Sequence, residues 1–169
     1  MRRLLSLAIC LGFCHLAVAQ TSLNELATSF ANAYIRKDYK TIITLTHPDI
    51  ISKSGGEEFA KSDLKANLEN PKSEMLDYAS VEVGEALQFL KSDNQTQTII
   101  PVRFFIEFGD DLYANTSYFF AVSDDEEEWR FVNLDYYDHE SLKIFITNLS
   151  ADITIPANEP FEKLVKEKK

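Results

Sequence analysis

The residues best equipped for proton transfer are His47 and Asp49, two apart in T-H-P-D-I-I. Imidazole titrates near neutrality, and a nearby carboxylate can orient it, so either residue is a candidate proton-transfer group. The same stretch also reads as helix punctuation. Pro48 suits the first position of a helix and disfavours helical backbone at His47. Histidines at helix ends are common, so this second reading carries more weight. His139 follows Asp138, a natural helix cap, and reads as structural.

Other chemistry is sparse. Asp124 to Glu128 is a run of five carboxylates. Hard cations take oxygen ligands, but the calcium-loop spacing with its glycine is missing, so the run reads as a solvated turn. No metal site and no cofactor is expected. There is no glycine-rich phosphate loop, no G-x-S-x-G and no H-E-x-x-H. Tyr34, Tyr39, Tyr118, Tyr136 and Tyr137 can offer phenolic groups to a pocket, although tyrosine commonly buries its ring and leaves its hydroxyl wet.

The elements that must position these groups centre on residues 96–135. Ile100, Val102, Phe104, Ile106 and Phe108 form one apolar face of a strand, with Ile99, Pro101, Arg103, Phe105 and Glu107 on the other. Gly109-Asp110-Asp111 is a turn. Leu112 to Val122 alternates again, and Trp129 to Asp135 closes the set. Short connections predict an antiparallel meander with helices on its apolar face. Pro101 cannot donate to a ladder and predicts a bulge or a late strand start. Asp77 to Leu90 reads as a first long strand.

Helices are expected at 22–37, opened by a Ser22/Glu25 capping box, from Asp38, from Pro48 to Lys53 and from Glu57 to Leu68. The last carries Phe59, Leu64 and Leu68 as its apolar stripe. Asn70-Pro71 stops it. Asp138 caps a further helix to about Leu149. The tail, 150–169, is extended at Ile153–Pro156 and ends in a lysine-rich frayed helix.

Residues 1–19 read as a secretory signal peptide. Arg2 and Arg3 precede a short apolar run, and Ala17-Val18-Ala19 stands before Gln20. Cys10 and Cys14 fall inside it, so the mature chain carries no disulfide or thiol chemistry. The expected location is secreted or periplasmic, with no membrane span in the mature chain. The expected domain is 20–149, with 150–169 as a tail. Of 17 Lys and Arg, 15 remain after Arg2 and Arg3 leave, against 27 Asp and Glu, for a net charge of −12. Such a charge disfavours nucleic acid and anionic membranes as partners.

Helices followed by a meander ending in W-x-F resemble the nuclear transport factor 2-like superfamily. The matching stretches are A-Y-I-R-K-D-Y (Ala33 to Tyr39), T-H-P-D-I-I (Thr46 to Ile51), Gly55-Gly56, F-F-A-V-S-D-D (Phe119 to Asp125) and W-R-F-V-N (Trp129 to Asn133). They look most like small exported members from Bacteroidetes-type bacteria. The resemblance implies an α+β fold. N-terminal helices would pack in the concave face of a curved antiparallel meander of about four strands, with a C-terminal helix or tail. The superfamily holds enzymes and plain binding modules alike, and fold does not choose between them.

Two functions follow as expectations. One is a non-enzymatic exported domain that binds a small apolar ligand or a protein partner through its cavity or sheet face, with Tyr34, Arg103 and Tyr118 as contact residues. The other is an isomerase or cyclase using His47 or Asp49. A homodimer through Ile99, Phe105, Arg103 and Glu107, extended by Tyr113 and Phe119 if register allows, is weighed against a tail that folds back over that patch.

Overall fold

The computed structural model describes residues 22–69 and 77–164. The expected signal peptide, 1–19, and the expected Asn70-Pro71 helix stop lie outside that range. Helix α1 covers 22–36, followed by α2 (Tyr39–Leu45), α3 (Pro48–Lys53) and α4 (Glu57–Leu68). Six strands come next: β1 (Asp77–Val83), β2 (Phe89–Ser92), β3 (Gln95–Phe108), β4 (Asp111–Ser123), β5 (Arg130–Asn133) and, near the end, β6 (Glu162–Leu164). A 3-10 turn, Leu134–Tyr136, and helix α5, His139–Phe145, separate β5 from β6. This is an α+β fold with helices first and an antiparallel meander after them. No helix among the described residues is long and apolar enough to cross a membrane.

Local chemistry accounts for the helix ends. Asp38 accepts the Thr41 N–H at 3.1 Å and caps α2. Pro48 opens α3, and Gly55 and Gly56 take left-handed φ values of 99° and 92° that break the chain before α4. Asp138 caps α5 by accepting the Ser141 N–H at 2.8 Å. Ser22 donates its hydroxyl to the Glu127 carbonyl at 3.1 Å, which ties the start of α1 to the β4–β5 turn.

The sheet runs β1-β3-β4-β5, with β2 continuing along the same edge of β3 as β1 and β6 pairing with β4. The predicted single strand from Asp77 to Leu90 is therefore two strands. Pro101 explains the break. It sits inside β3, opposite Tyr118 on β4. Its carbonyl faces the other edge and accepts the Gly84 N–H at 2.9 Å, so its missing N–H faces that edge too. There the ladder is interrupted: from Val83↔Val102 to Phe89↔Thr98, six steps along one chain face four along β3. Proline thus places the bulge in its neighbour and not in its own strand. Gly84 is the residue that lets the chain pass, since a Cβ there would lie 2.8 Å from Pro101 Cγ.

Each face of the sheet has its own core. Ile100, Val102, Phe104, Phe119, Ala121 and Phe131 meet α1 and α2 through Leu23, Phe30, Ile42 and Leu45. Phe30 stacks on Phe131 at 5.2 Å and meets Phe119 edge-on at 5.0 Å. On the reverse face, Ile99, Tyr118, Phe120, Val122 and Val132 meet Ile50, Leu142, Ile146 and Ile153. The segment beyond 150 therefore packs on the sheet, and its last described part, β6, is a strand paired with Leu112–Ala114 where a frayed helix was predicted. Helix α5 stops at Phe145, short of Leu149. Gln97, fully buried, anchors the return: its Nε2 donates to the Asn148 carbonyl at 2.6 Å and its Oε1 accepts the Ser150 N–H at 2.9 Å.

Candidate functional site

A cavity of about 350 Å³ lies between α2, α3 and α4 on one side and β5 with its 3-10 turn on the other. Its inner wall is apolar. α2 supplies Ile42 and Ile43, α3 supplies Ile50 and Ile51, and β5 supplies Val132. α4 closes the outside with Phe59, Ala60, Asp63, Leu64 and Asn67. Those five recur at helical spacing on one face, yet no residue of α4 is fully buried and Phe59 is 62% exposed. Of the apolar stripe predicted for α4, Phe59 stands exposed at the cavity, Leu64 both lines it and packs against the helix-side core, and Leu68 packs on that core alone.

The polar groups sit where the strand ends. Asn133 is buried at the end of β5, and its Oδ1 accepts the Asp135 N–H at 3.0 Å, which starts the 3-10 turn. Its side-chain NH₂ is left to serve the Tyr34 hydroxyl, the contact that partly offsets the upward push on that phenol. Burial dominates and holds the Tyr34 pKa far above its ordinary 10.0, so the phenol stays protonated. Partial desolvation raises Tyr136, although most of the residue is exposed, with the Asp135 carboxylate assisting, and raises Tyr137, assisted by Asp63. Asp135 is itself held by Ser117 Oγ at 2.6 Å and Asn158 Nδ2 at 3.0 Å. Beyond the cavity, the Tyr39 hydroxyl donates to Glu69 at 2.8 Å and pins α2 to the end of α4. Burial and this bond push its pKa up to about 12.

The sequence candidates do not converge. Tyr34 lines the cavity, whereas Tyr118 and Arg103 belong to the reverse face of the sheet. Tyr118 is buried against α5 and the C-terminal segment. Arg103 lies over the Phe105 ring at 5.4 Å and pairs with Glu162 of its own chain at 3.3 Å. Of the five tyrosines, Tyr34, Tyr136 and Tyr137 line the cavity, and Tyr39 and Tyr118 do not. Asp63, Asn67 and Asn133 were not singled out from sequence. Asp63 and Asn67 were detectable in principle, as polar residues interrupting the apolar face of α4.

His47 and Asp49 line a separate acid-rich depression with Asp124, Asp125, Glu128 and Arg130. His47 is buried, and its Nδ1 accepts the Asp49 N–H at 3.2 Å, which caps α3. Burial lowers its pKa below 6.5. Asp49 and Asp124 oppose the shift, while Lys53 and Arg130 add to it. The carboxylate run is a self-bonded turn. Asp125 accepts the N–H groups of Glu127 and Glu128 at 2.9 and 2.8 Å, bonds that hold its pKa down, and Glu126 pairs with Lys91. Among the described residues, no group of three or more His, Cys, Asp or Glu is placed to hold a metal ion.

The patch weighed for a second copy is partly closed by the chain itself. Ile99 is fully buried, and Arg103 has its own-chain partner. Register also removes Tyr113 and Phe119 from that patch. They pair with Ile106 and Ile100, and cross-strand partners share a face, so they lie on the helix side.

Fold and site together define a class: an α+β domain with a side cavity roofed by one loosely packed helix. No family model matches the chain, and no curated protein or solved structure matches it either.

Proposed function

We propose that this is an exported, non-enzymatic domain that binds a small, largely apolar ligand in the cavity under α4. The observation that carries the reading is the cavity itself. Its 350 Å³ falls within the range of small-molecule sites, and its apolar walls carry a few convergent hydroxyl and amide groups. α4, with none of its residues fully buried, is the element that would move to admit a ligand. Export rests on the basic, apolar and small-residue order of residues 1–19. N-terminal sequencing of secreted protein should read from Gln20, and an intact Met1 there would refute export.

The proton-transfer reading of His47 and Asp49 draws less support. His47 Nδ1 is committed to a backbone N–H, and neither residue lines the cavity. A second copy on the reverse face draws less support than the chain's own C-terminal cover.

The test is a blocked cavity. Ala60 is half-buried on the inward face of α4, so Ala60→Trp fills the space from a tolerant helix. An NMR titration with 2-phenylethanol should shift resonances of Ile42, Ile50 and Val132 in the parent protein and not in the variant. Equal binding by both proteins, or shifts located elsewhere, would refute the assignment.

A further inference from the structure

The cavity's wall chemistry narrows the ligand class beyond "apolar". Four aromatic rings reach it: Tyr34 from α1, Phe59 from α4, and Tyr136 and Tyr137 from the turn after β5. Phe59 and Tyr136 are 62% and 58% exposed, so they stand at the mouth. Among the described residues the one charged residue of the lining is Asp63, also exposed and therefore at the rim. No Lys or Arg among the described residues lines the cavity. The Asp63 carboxylate and the Tyr136 and Tyr137 rings line the same cavity, and its charge acts on both phenols. Asp135 adds a second negative charge beside Tyr136.

Aromatic faces carry negative potential and attract cations, and a nearby carboxylate strengthens that attraction where water is partly excluded. An anion brought to the same mouth meets π faces, the Asp63 carboxylate and a chain of net charge −10. The inner wall of Ile42, Ile50 and Val132 accepts a hydrocarbon body.

We propose that the cavity selects amphipathic amines: an ammonium group held at the mouth by Asp63, Tyr136 and Phe59, with an apolar body inside. This rests on the cavity being a ligand site, and three probes of one shape separate the two ideas. At pH 7, 2-phenylethylamine is a cation, 2-phenylethanol is neutral and phenylacetate is an anion. Titrated into the full chain, the amine should bind about tenfold more tightly than the alcohol, and the acid most weakly. Added salt should erode the amine's advantage and leave the alcohol unchanged. Asp63→Asn should bring the amine down to the alcohol's affinity. Asp63 is exposed on α4 and accepts a bond from Asn67 of the same helix, a partner that asparagine's own amide oxygen can still satisfy, so the variant keeps its fold. Equal affinities for amine and alcohol in the parent protein, or an amine preference untouched in Asp63→Asn, would overturn the amine selection while leaving the cavity as a site. Failure of all three probes to bind would overturn both.

Discussion

Replacing Gln97 with leucine tests whether the C-terminal segment is an integral cover of the sheet. The substitution puts an apolar side chain of similar bulk at a fully buried position and deletes two hydrogen bonds. The Ser150 N–H, now buried without an acceptor, costs about 1–3 kcal/mol. Asn148 is exposed, so water can replace the partner of its carbonyl, and that bond adds about 0.5–1 kcal/mol. Leucine recovers about 1 kcal/mol, because no amide has to leave water. The net expectation is a loss of about 0.5–3 kcal/mol, read from equilibrium urea unfolding followed by Trp129 fluorescence, since Trp129 is fully buried in the core under α1. Amide hydrogen exchange gives the local readout: Ser150 and Ile153 should lose protection more than Phe119 or Phe131 do. A stability change below about 0.5 kcal/mol, with Ser150 protection intact, would show that Gln97 does not anchor the segment.

Phe131→Ala removes a fully buried ring stacked on Phe30 and should cost about 3–5 kcal/mol in the same unfolding experiment; a cost under about 1 kcal/mol would contradict its place in the core. Gly84→Ala sets a methyl 2.8 Å from Pro101 Cγ and should cost about 1–3 kcal/mol, with Gly84→Ala/Pro101→Ala recovering most of it if the ring is the obstacle. His47 has a lowered native pKa, so the unfolded chain takes up its proton first, near pH 6.5. Stability should therefore fall as pH drops below about 6.5 and level off below the native value. His47→Asn, whose amide oxygen can replace Nδ1 as the cap acceptor, should flatten that slope between about pH 7 and 5, and an unchanged slope would assign it to other groups. Ending the chain at residue 149 exposes Ile99 and Phe120 by removing Ile153 and β6, so sedimentation should show association growing with concentration in that variant and not in the full chain.

Much of this fold is legible along the chain because its signals are local. The period-two alternation of Ile100 to Phe108, the Asp38 and Asp138 caps, Pro48 at a helix start and Gly55-Gly56 at a break each act through neighbours within four residues. Pro101 announced an irregularity by itself, because a missing N–H is a property of one residue. Which strand would bend to accommodate it was a property of the pair.

Tertiary structure alone decided the rest. The Ile100 face is the more apolar of the two in sequence, yet the mixed Ile99 face is covered as well. Only the β3–β4 register put Phe119 with Ile100 under the helices, and Phe120 with Ile99 under α5 and Ile153. The sequence determined that α4 has an apolar face but not what that face meets. Burial depends on the distance to a wall built from residues 42–54 and 132–137, far away in the chain, and there the wall stands back and leaves a cavity. For the same reason Tyr34 and Tyr118, alike in sequence, ended on opposite sides of the sheet. A side chain's type is written at its own position, whereas its surroundings are set by pairing and packing across the whole molecule.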